Sequence, residues 1–350
     1  MAFSKEMMER PGKLDCLNST IFPAFVNTRP DNLYNPAMKI VSFLPSGTEI
    51  ACLLGLEKDL LAVTHECDFP ASVRALPKVV HSRYDSKAIP QAEVHRLVQD
   101  SLARGESLYL IDEELLMSLK PDLILTQDLC QVCAPSGVEA ASALKKLGSG
   151  TQILYLTPRT LDEIFGNILE AGRATGAQDR ARTFIAHYKE RIAALSSRLQ
   201  GTRPKKVFFM EWIEPIFCSG HWIPEMVGLA GGYDPLEVRG KDSGPIPWDS
   251  ILRENPEVIV IAPCGYHLQE TAALAEETLA HLPRLEDLRA YQAEQIYAVD
   301  ADSYFVRPGP RVVQGMEILA EIFHPEIFSG IAPANSFRKI LKKSLISESV

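Results

Sequence analysis

The stretch SILRENPEVIVIAPC, residues 250–264, contains the pattern that decides the fold. A helical segment ends at a proline and an acid, four apolar β-branched residues follow, and Cys264 lies just past the strand that they form. LLMSLKPDLILTQDLC, residues 115–130, repeats this plan in the first half of the chain. A short apolar run between helical segments is typical of a parallel strand, which is buried on both faces of its sheet.

Further short apolar runs alternate with helical patterns along the chain. The predicted strands lie within residues 39–43, 60–65, 121–127, 152–156, 205–212, 256–263 and 295–300. Strands that alternate with helices predict parallel sheets covered by helices on both faces. We therefore expect an α/β protein with one Rossmann-like lobe in each half.

One long helix pattern separates the two sets of strands. Its apolar positions are Phe184, Tyr188, Ile192, Leu195 and Leu199. Steps of three and four residues place them on one helix face, and Gly201 ends the pattern. The predicted division is an extension at 1–37, an N-terminal lobe at 38–160, a linking helical segment at 161–201, a C-terminal lobe at 202–325 and a tail at 326–350. We expect the basic end of the tail, SFRKILKKSLISESV, to be a loosely attached amphipathic helix.

Composition and charge exclude several classes of protein. The 350 residues are enough for two lobes, and 36 Lys and Arg against 45 Asp and Glu give a net charge of -9. We expect no nucleic-acid partner, because no Lys/Arg run supplies a basic face. No apolar stretch reaches the ~20 residues of a membrane span, so we expect a protein that does not cross the membrane. We also expect a monomer.

The seven cysteines bear on the compartment. An odd count argues against a disulfide framework, and the start MAFSKEMMERPGKLDCLNST has no apolar signal region. We expect a cytoplasmic protein, or a periplasmic or extracellular one if the N-terminus is assigned wrongly.

Several segments occur in the order found in a known family. They are SGTEIACLLGL (46–56), PDLILTQ (121–127), the linking helix, IPW (246–248) and RPGPRVVQGMEILAEI (307–322). In these segments the chain resembles the substrate-binding proteins of iron-siderophore and cobalamin ABC transporters, over roughly residues 38–325. The resemblance implies a class III periplasmic-binding-protein-like fold, with two Rossmann-like lobes, parallel sheets, one rigid linking helix and a ligand between the lobes.

Within this family the chain is similar to a cobalamin-binding subgroup. The similarity lies in HECDFP (65–70), TQDLCQVCA (126–134), EWIEPIF (211–217) and PCGYH (263–267). It implies a corrinoid or an iron chelate as ligand, and an ABC permease as partner.

Aromatic side chains in predicted loops and turns and at the ends of predicted elements are candidate walls for a flat macrocycle. They are Trp212, Trp222, Trp248, Tyr304 and Phe305. Core packing is the alternative for each, and the resemblance implies a cleft position for Trp248.

Three polar side chains are further candidates: one follows a predicted strand, one lies in a predicted loop, and one stands at the start of the last predicted helix. His65 and His221 could touch a ligand metal or donate a hydrogen bond, and His221 could instead be a solvent-exposed loop residue. Arg307 could pair with an anionic ligand or with nearby acids.

Four cysteines follow three of the predicted strands. They are Cys67, Cys130, Cys133 and Cys264. If they converge, thiolates in this number suit zinc or an iron–sulfur cluster. Inert buried thiols or a redox pair are the alternatives.

The sequence thus favours a binding protein that holds cobalamin or another metal chelate between its lobes. An intracellular metalloprotein with zinc or an iron–sulfur cluster is the alternative. Nucleotide-phosphate, nicotinamide and serine-hydrolase motifs are absent, so no catalytic residue is assigned.

Overall fold

The computed structural model describes residues 38–85, 88–127, 143, 145–146 and 150–342. The predicted α/β fold with two Rossmann-like lobes is confirmed. Parallel pairing dominates both main sheets, and each has one antiparallel strand at an edge.

The first lobe contains a six-stranded sheet. Its strands are β1 Ile40–Ser42, β2 Leu60–Thr64, β3 Lys78–Ser82, β4 Tyr109–Ile111, β5 Leu123–Thr126 and β6 Gln152–Tyr155. Its helices are α1 Pro45–Leu53, α2 Gln91–Arg104 and α3 Glu113–Leu119. The strand order is β4-β3-β2-β1-β5-β6, and β4 is antiparallel to β3.

Two helices connect the lobes, α4 Leu161–Ala174 and α5 Gln178–Arg198. Helix α5 confirms the predicted long helix and is about 31 Å long at ~1.5 Å per residue. The two helices approach closely at Gly172, where a β-carbon would lie 2.7 Å from the β-carbon of Ala181. We call this pair of packed helices the connector.

The second lobe contains a five-stranded sheet and a two-stranded ribbon. Its strands are β7 Lys205–Met210, β8 Gly220–His221, β9 Gly232–Tyr233, β10 Val238–Arg239, β11 Val258–Ile261, β12 Ile296–Val299 and β13 Phe337–Lys339. Its helices are α6 Ile223–Leu229, α7 Trp248–Glu254, α8 Leu268–Leu279, α9 Arg289–Gln292, α10 Ala301–Tyr304, α11 Val312–Phe323 and α12 Pro325–Phe328. The main order is β13-β12-β11-β7-β9, and β8 pairs with β10.

One apolar core continues from the first lobe into the second. It includes Ile50 of α1, Tyr188 of α5, Phe209 of β7 and Met316 of α11, all nearly inaccessible to solvent. The connector therefore packs against both lobes along its length, which restricts bending between them.

The expectation of a helix in the basic tail is wrong at residues 337–339. These residues form β13, which lies antiparallel to β12 with Tyr297 opposite Lys339. The ring of Phe337 packs 6.0 Å from that of Tyr297, and Lys339 Nζ lies 5.6 Å from the centroid of the same ring. Pairing with β12 therefore holds this basic segment at the edge of the sheet. The proposed domain boundaries stay a prediction.

Candidate functional site

The loops that follow the strands of one lobe contact the corresponding loops of the other lobe. In parallel sheets such loops lie beyond the carboxyl ends of the strands, where open α/β folds bind ligands. The facing segments follow β1, β2 and β3 in the first lobe and β7, β11 and β12 in the second. We call the region between them the interlobe site.

A buried group of charges joins the lobes at this site. We define the ionic cluster as Glu49, Asp68, Asp302, Arg307 and Arg311. Arg311 donates to both oxygens of Glu49, with Nε 3.0 Å from Oε2 and Nη2 2.5 Å from Oε1. Arg307 Nη1 donates to Glu49 Oε1 at 3.2 Å. Glu49 comes from α1, so its carboxylate binds two guanidinium groups of the opposite lobe.

Arg307 extends this cluster to two further carboxylates. Its Nη1 lies 2.6 Å from Asp68 Oδ1, and its Nη2 lies 2.5 Å from Asp302 Oδ2. Its side chain is 6% exposed, and the surrounding carboxylates raise the pKa of the guanidinium although burial opposes this. The arginine therefore stays charged and pairs with acids of the protein itself, as the sequence allowed.

His267 lies at the exposed edge of the cluster. Its Nδ1 is 3.1 Å from Asp300 Oδ1, and its Nε2 is 3.5 Å from both Asp68 Oδ2 and Asp302 Oδ2. The hydrogen bond to Asp300 is the main cause that raises the pKa of His267, and nearby carboxylates add to it while burial opposes it.

Asp68, His267 and Asp302 have the residue types of a cation site. One ligand atom from each lies within 4.8 Å of the others. Both carboxylates already accept hydrogen bonds from Arg307, whose charge balances theirs. A second cation would be repelled by this guanidinium, so we interpret the group as an ion-pair network.

A neutral contact joins the lobes at a second place. Gln91, at the start of α2, is 3% exposed. Its Oε1 accepts hydrogen bonds from the backbone nitrogens of Ile213 at 3.2 Å and Glu214 at 3.3 Å. Burial raises the pKa of Tyr266, and the neighbouring Gln91 side chain opposes this effect.

Trp212 and Tyr266 form an aromatic pair beside the Gln91 contact. Their ring centroids are 6.0 Å apart at an interplanar angle of 70°. Trp212 is half-buried, follows β7, and donates through Nε1 to the carbonyl of Glu214 at 2.9 Å. Tyr266 follows β11, so both rings stand at the interlobe site on loops of one lobe.

The other predicted aromatic residues lie in different surroundings. Trp222 is buried and donates to the carbonyl of Phe305 at 2.9 Å, and Phe305 is fully buried against Phe209. Trp248 is half-buried and donates to the carbonyl of Pro283 at 2.8 Å. Tyr304 is half-buried, with its ring centroid 5.6 Å from the Arg311 guanidinium. The structure does not bring these side chains together with Trp212 through any contact among the described residues.

The two predicted histidines contact different parts of the structure. His65 is partly exposed, and its Nδ1 lies 3.2 Å from the carbonyl oxygen of Val80 on β3. His221 lies 3.0 Å from Asp242, which also accepts a hydrogen bond from Arg159 at 3.1 Å. Burial is the main cause that lowers the pKa of both histidines.

The predicted thiols can be placed only in part. Cys67 is buried, and its Sγ lies 3.1 Å from Thr48 Oγ1, while burial raises the pKa of the thiol. Cys264 is exposed after β11. Cys130 and Cys133 lie outside the described residues, so the four-thiol site stays a prediction.

An open depression of about 300 Å³ lies on the connector. Phe165, Lys189 and Glu225 are among its lining residues, on α4, α5 and α6. It is separate from the strand ends that form the interlobe site.

The site residues predicted from the sequence do not include Asp68, Gln91, Tyr266 or His267. Asp68, Tyr266 and His267 belong to segments that follow apolar strands, and this position was a usable signal. Gln91 begins a helix and has no comparable signal.

The comparison with protein families now identifies the class of protein. The model of the periplasmic binding protein family matches residues 40–303. The chain therefore belongs to the periplasmic binding protein family.

Individual relatives are similar over most of their length. The Vitamin B12-binding protein of Vibrio cholerae El Tor Inaba N16961 is 26% identical over 289 residues, which cover 81% of this chain and 87% of the relative. The ABC transporter substrate-binding lipoprotein YvrC of Bacillus subtilis is 24% identical over 303 residues, which cover 83% and 81%.

Solved structures share the fold. The periplasmic Vitamin B12 binding protein BtuF of Vibrio cholerae gives a TM-score of 0.60 at 23% identity and covers 82% of this chain and 96% of its own. The periplasmic heme-binding protein RhuT of Roseiflexus sp. RS-1 gives 0.62 at 20% identity and covers 82% and 98%.

The expectation of a cytoplasmic location is wrong. The chain belongs to a family of periplasmic proteins, and its Bacillus relative is a substrate-binding lipoprotein. The intracellular metalloprotein gains no support, since the relatives reported above are named for vitamin B12 or heme rather than for zinc or an iron–sulfur cluster. Within the described part of the chain, no helix has the length and apolarity to cross a bilayer.

Proposed function

We propose that the protein is the substrate-binding component of an ABC transporter and carries a metal chelate, foremost a corrinoid such as cobalamin, in the interlobe site. The observation that carries the proposal is family membership together with similarity to a Vitamin B12-binding protein over 81% of the chain. Its partner in this role is an ABC permease.

The aromatic pair supports a flat, partly apolar ligand. Trp212 offers a half-buried indole, and the ring of Tyr266 packs against it at an interplanar angle of 70°. Large aromatic surfaces bind macrocycles at little cost in side-chain entropy. We propose that Trp212 contacts the ligand, and that His221 and Tyr304 are further candidates.

An iron chelate is the second candidate cargo. Heme-binding proteins share the fold, as RhuT does with a TM-score of 0.62. An aromatic wall suits a porphyrin as well as a corrin, so the two ligands must be separated by measurement.

Absorption titrations test this proposal. Aquocobalamin, hemin and a ferric siderophore are each added to the protein, and its Trp212→Ala variant is titrated in parallel. We expect cobalamin to bind, and Trp212→Ala to weaken binding about tenfold, as loss of one buried aromatic contact does. Tyr233→Ala, at a ring that is 47% exposed on β9, is the control and should leave affinity unchanged. Absence of binding by all three chelates would overturn the proposal.

A further inference from the structure

Two of the contacts between the lobes differ in chemistry. Gln91 makes a neutral contact with the backbone of Ile213 and Glu214. The ionic cluster makes a charged contact, and the titratable imidazole of His267 lies at its edge. The His267 side chain is 39% exposed, so it exchanges protons with solvent.

Carboxylates face His267 from both lobes. Asp68 comes from the loop after β2 in the first lobe, whereas Asp300 and Asp302 begin α10 in the second. Glu270, in the first turn of α8, accepts a hydrogen bond from the backbone nitrogen of His267 at 3.0 Å. The charges of these groups favour the imidazolium form.

Positive charge near His267 comes from Arg307. Its guanidinium donates to Asp68 and Asp302, the same two carboxylates that face the imidazole Nε2. One arginine against Asp68, Asp300 and Asp302 leaves an excess of negative charge. A protonated His267 reduces this excess and adds an attraction between the lobes through Asp68.

We propose that His267 makes the contact between the lobes sensitive to pH: its imidazolium attracts Asp68 across the interlobe site, and its neutral form weakens the closed arrangement. The closed arrangement binds the proton more tightly than an open one, in which Asp68 has moved away. Linkage then requires that rising pH shifts the lobes toward the open arrangement. The proposal does not depend on which ligand binds.

Distance measurement between the lobes tests this proposal in the full chain without ligand. Azide-bearing amino acids replace Glu114 on α3 and Glu277 on α8, both exposed, and carry spin labels. Between pH 5 and pH 8.5 we expect a longer distance to gain population, with a change in the open-to-closed ratio of about twofold or more. His267→Gln should abolish this pH response.

Two further variants serve as controls. His81→Gln changes an exposed histidine of β3 that contacts the Lys78 carbonyl and the His65 ring, and it should keep the full response. Gln91→Ala should increase the open population equally at every pH, because the amide does not titrate. Circular dichroism verifies the fold of each variant.

If His267→Gln fails to fold, NMR titration of the His267 imidazole in wild type and in Asp68→Asn still tests the proposal. Asp68→Asn should lower the pKa of His267 from its wild-type value. An unchanged pKa in that variant, a distance distribution that is constant with pH, or an equal response in wild type and His267→Gln would overturn the proposal.

Discussion

Glu49 is the residue on which the charged contact between the lobes depends most. Its side chain is 1% exposed and accepts hydrogen bonds from both Arg307 and Arg311. Burial of three charged groups is tolerable because each has a partner of opposite sign. The neutral Glu49→Gln side chain would leave positive charge uncompensated in the core.

We predict that Glu49→Gln lowers the free energy of unfolding by about 3–5 kcal/mol, the usual cost of breaking a buried ion pair. Urea denaturation measures this change. Glu93→Gln, in an exposed pair with Arg96, should cost less than about 0.5 kcal/mol. Equal losses in the two variants would contradict the assignment of Glu49 as a buried anchor.

Asp234 gives stability a pH dependence. It is 4% exposed and accepts hydrogen bonds from the backbone nitrogens of Phe209 and Leu236, both at 2.9 Å. Burial raises its pKa from 3.8 to about 7. The folded chain therefore holds this proton at higher pH than the unfolded chain does, and stability falls as pH rises from about 4 to 7.

We predict that Asp234→Asn removes about 1–3 kcal/mol of this decline in the free energy of unfolding. Urea denaturation at several values between pH 4.5 and pH 6.5 measures the slope, below the range in which His267 contributes most. Asp249→Asn alters an exposed acid of α7 and should preserve the wild-type slope. A steeper decline in Asp234→Asn than in wild type would show that the sign is wrong.

At the scale of elements, helix α4 begins with a defined cap. The Thr160 side chain accepts from the backbone nitrogen of Glu163 at 3.2 Å, and the Glu163 carboxylate accepts from the backbone nitrogen of Thr160 at 3.2 Å. This capping box satisfies two backbone donors that the helix itself cannot. It fixes where the connector leaves β6.

Thr160→Ala should destabilise the protein by about 1 kcal/mol, the usual loss for such a cap. Thermal or urea unfolding measures it. Thr183→Ala, at an exposed position inside α5, is the matched control and should be neutral or slightly stabilising because alanine favours helix. A loss at Thr183 as large as that at Thr160 would contradict the capping role.

The elements also show what the sequence could predict. Strands such as Val258–Ile261 are buried on both faces, so their apolar runs stand out. Strand Phe337–Lys339 has one apolar and two basic residues and depends on pairing with β12, which no local pattern reveals. The long helix was predictable because its apolar positions repeat over several turns.

The interlobe contacts could not be predicted, because they too depend on residues that are distant in the sequence. Glu49 and Arg307 are 258 positions apart, and only the packing of both lobes on the connector brings them together. Loop position after a strand indicates that a residue lies near the site, but not which partner it meets. Gln91 illustrates the limit, since its contacts depend on the approach of the opposite lobe.

At the scale of the whole molecule, the protein is a clamp of two lobes. The packed helices between the lobes and the buried contacts across them restrict its bending. Periplasmic binding proteins form the family to which this clamp belongs. We propose that this clamp binds one metal chelate between its lobes. Such a ligand stabilises the folded state by mass action, so saturating cobalamin should also raise the melting temperature.

Isothermal titration calorimetry of the full chain with cobalamin tests this claim most directly. The account predicts saturable binding of one cobalamin per chain, weakened about tenfold in Trp212→Ala. Absence of binding heat at several temperatures, together with an unchanged corrin absorption spectrum, would contradict it for cobalamin.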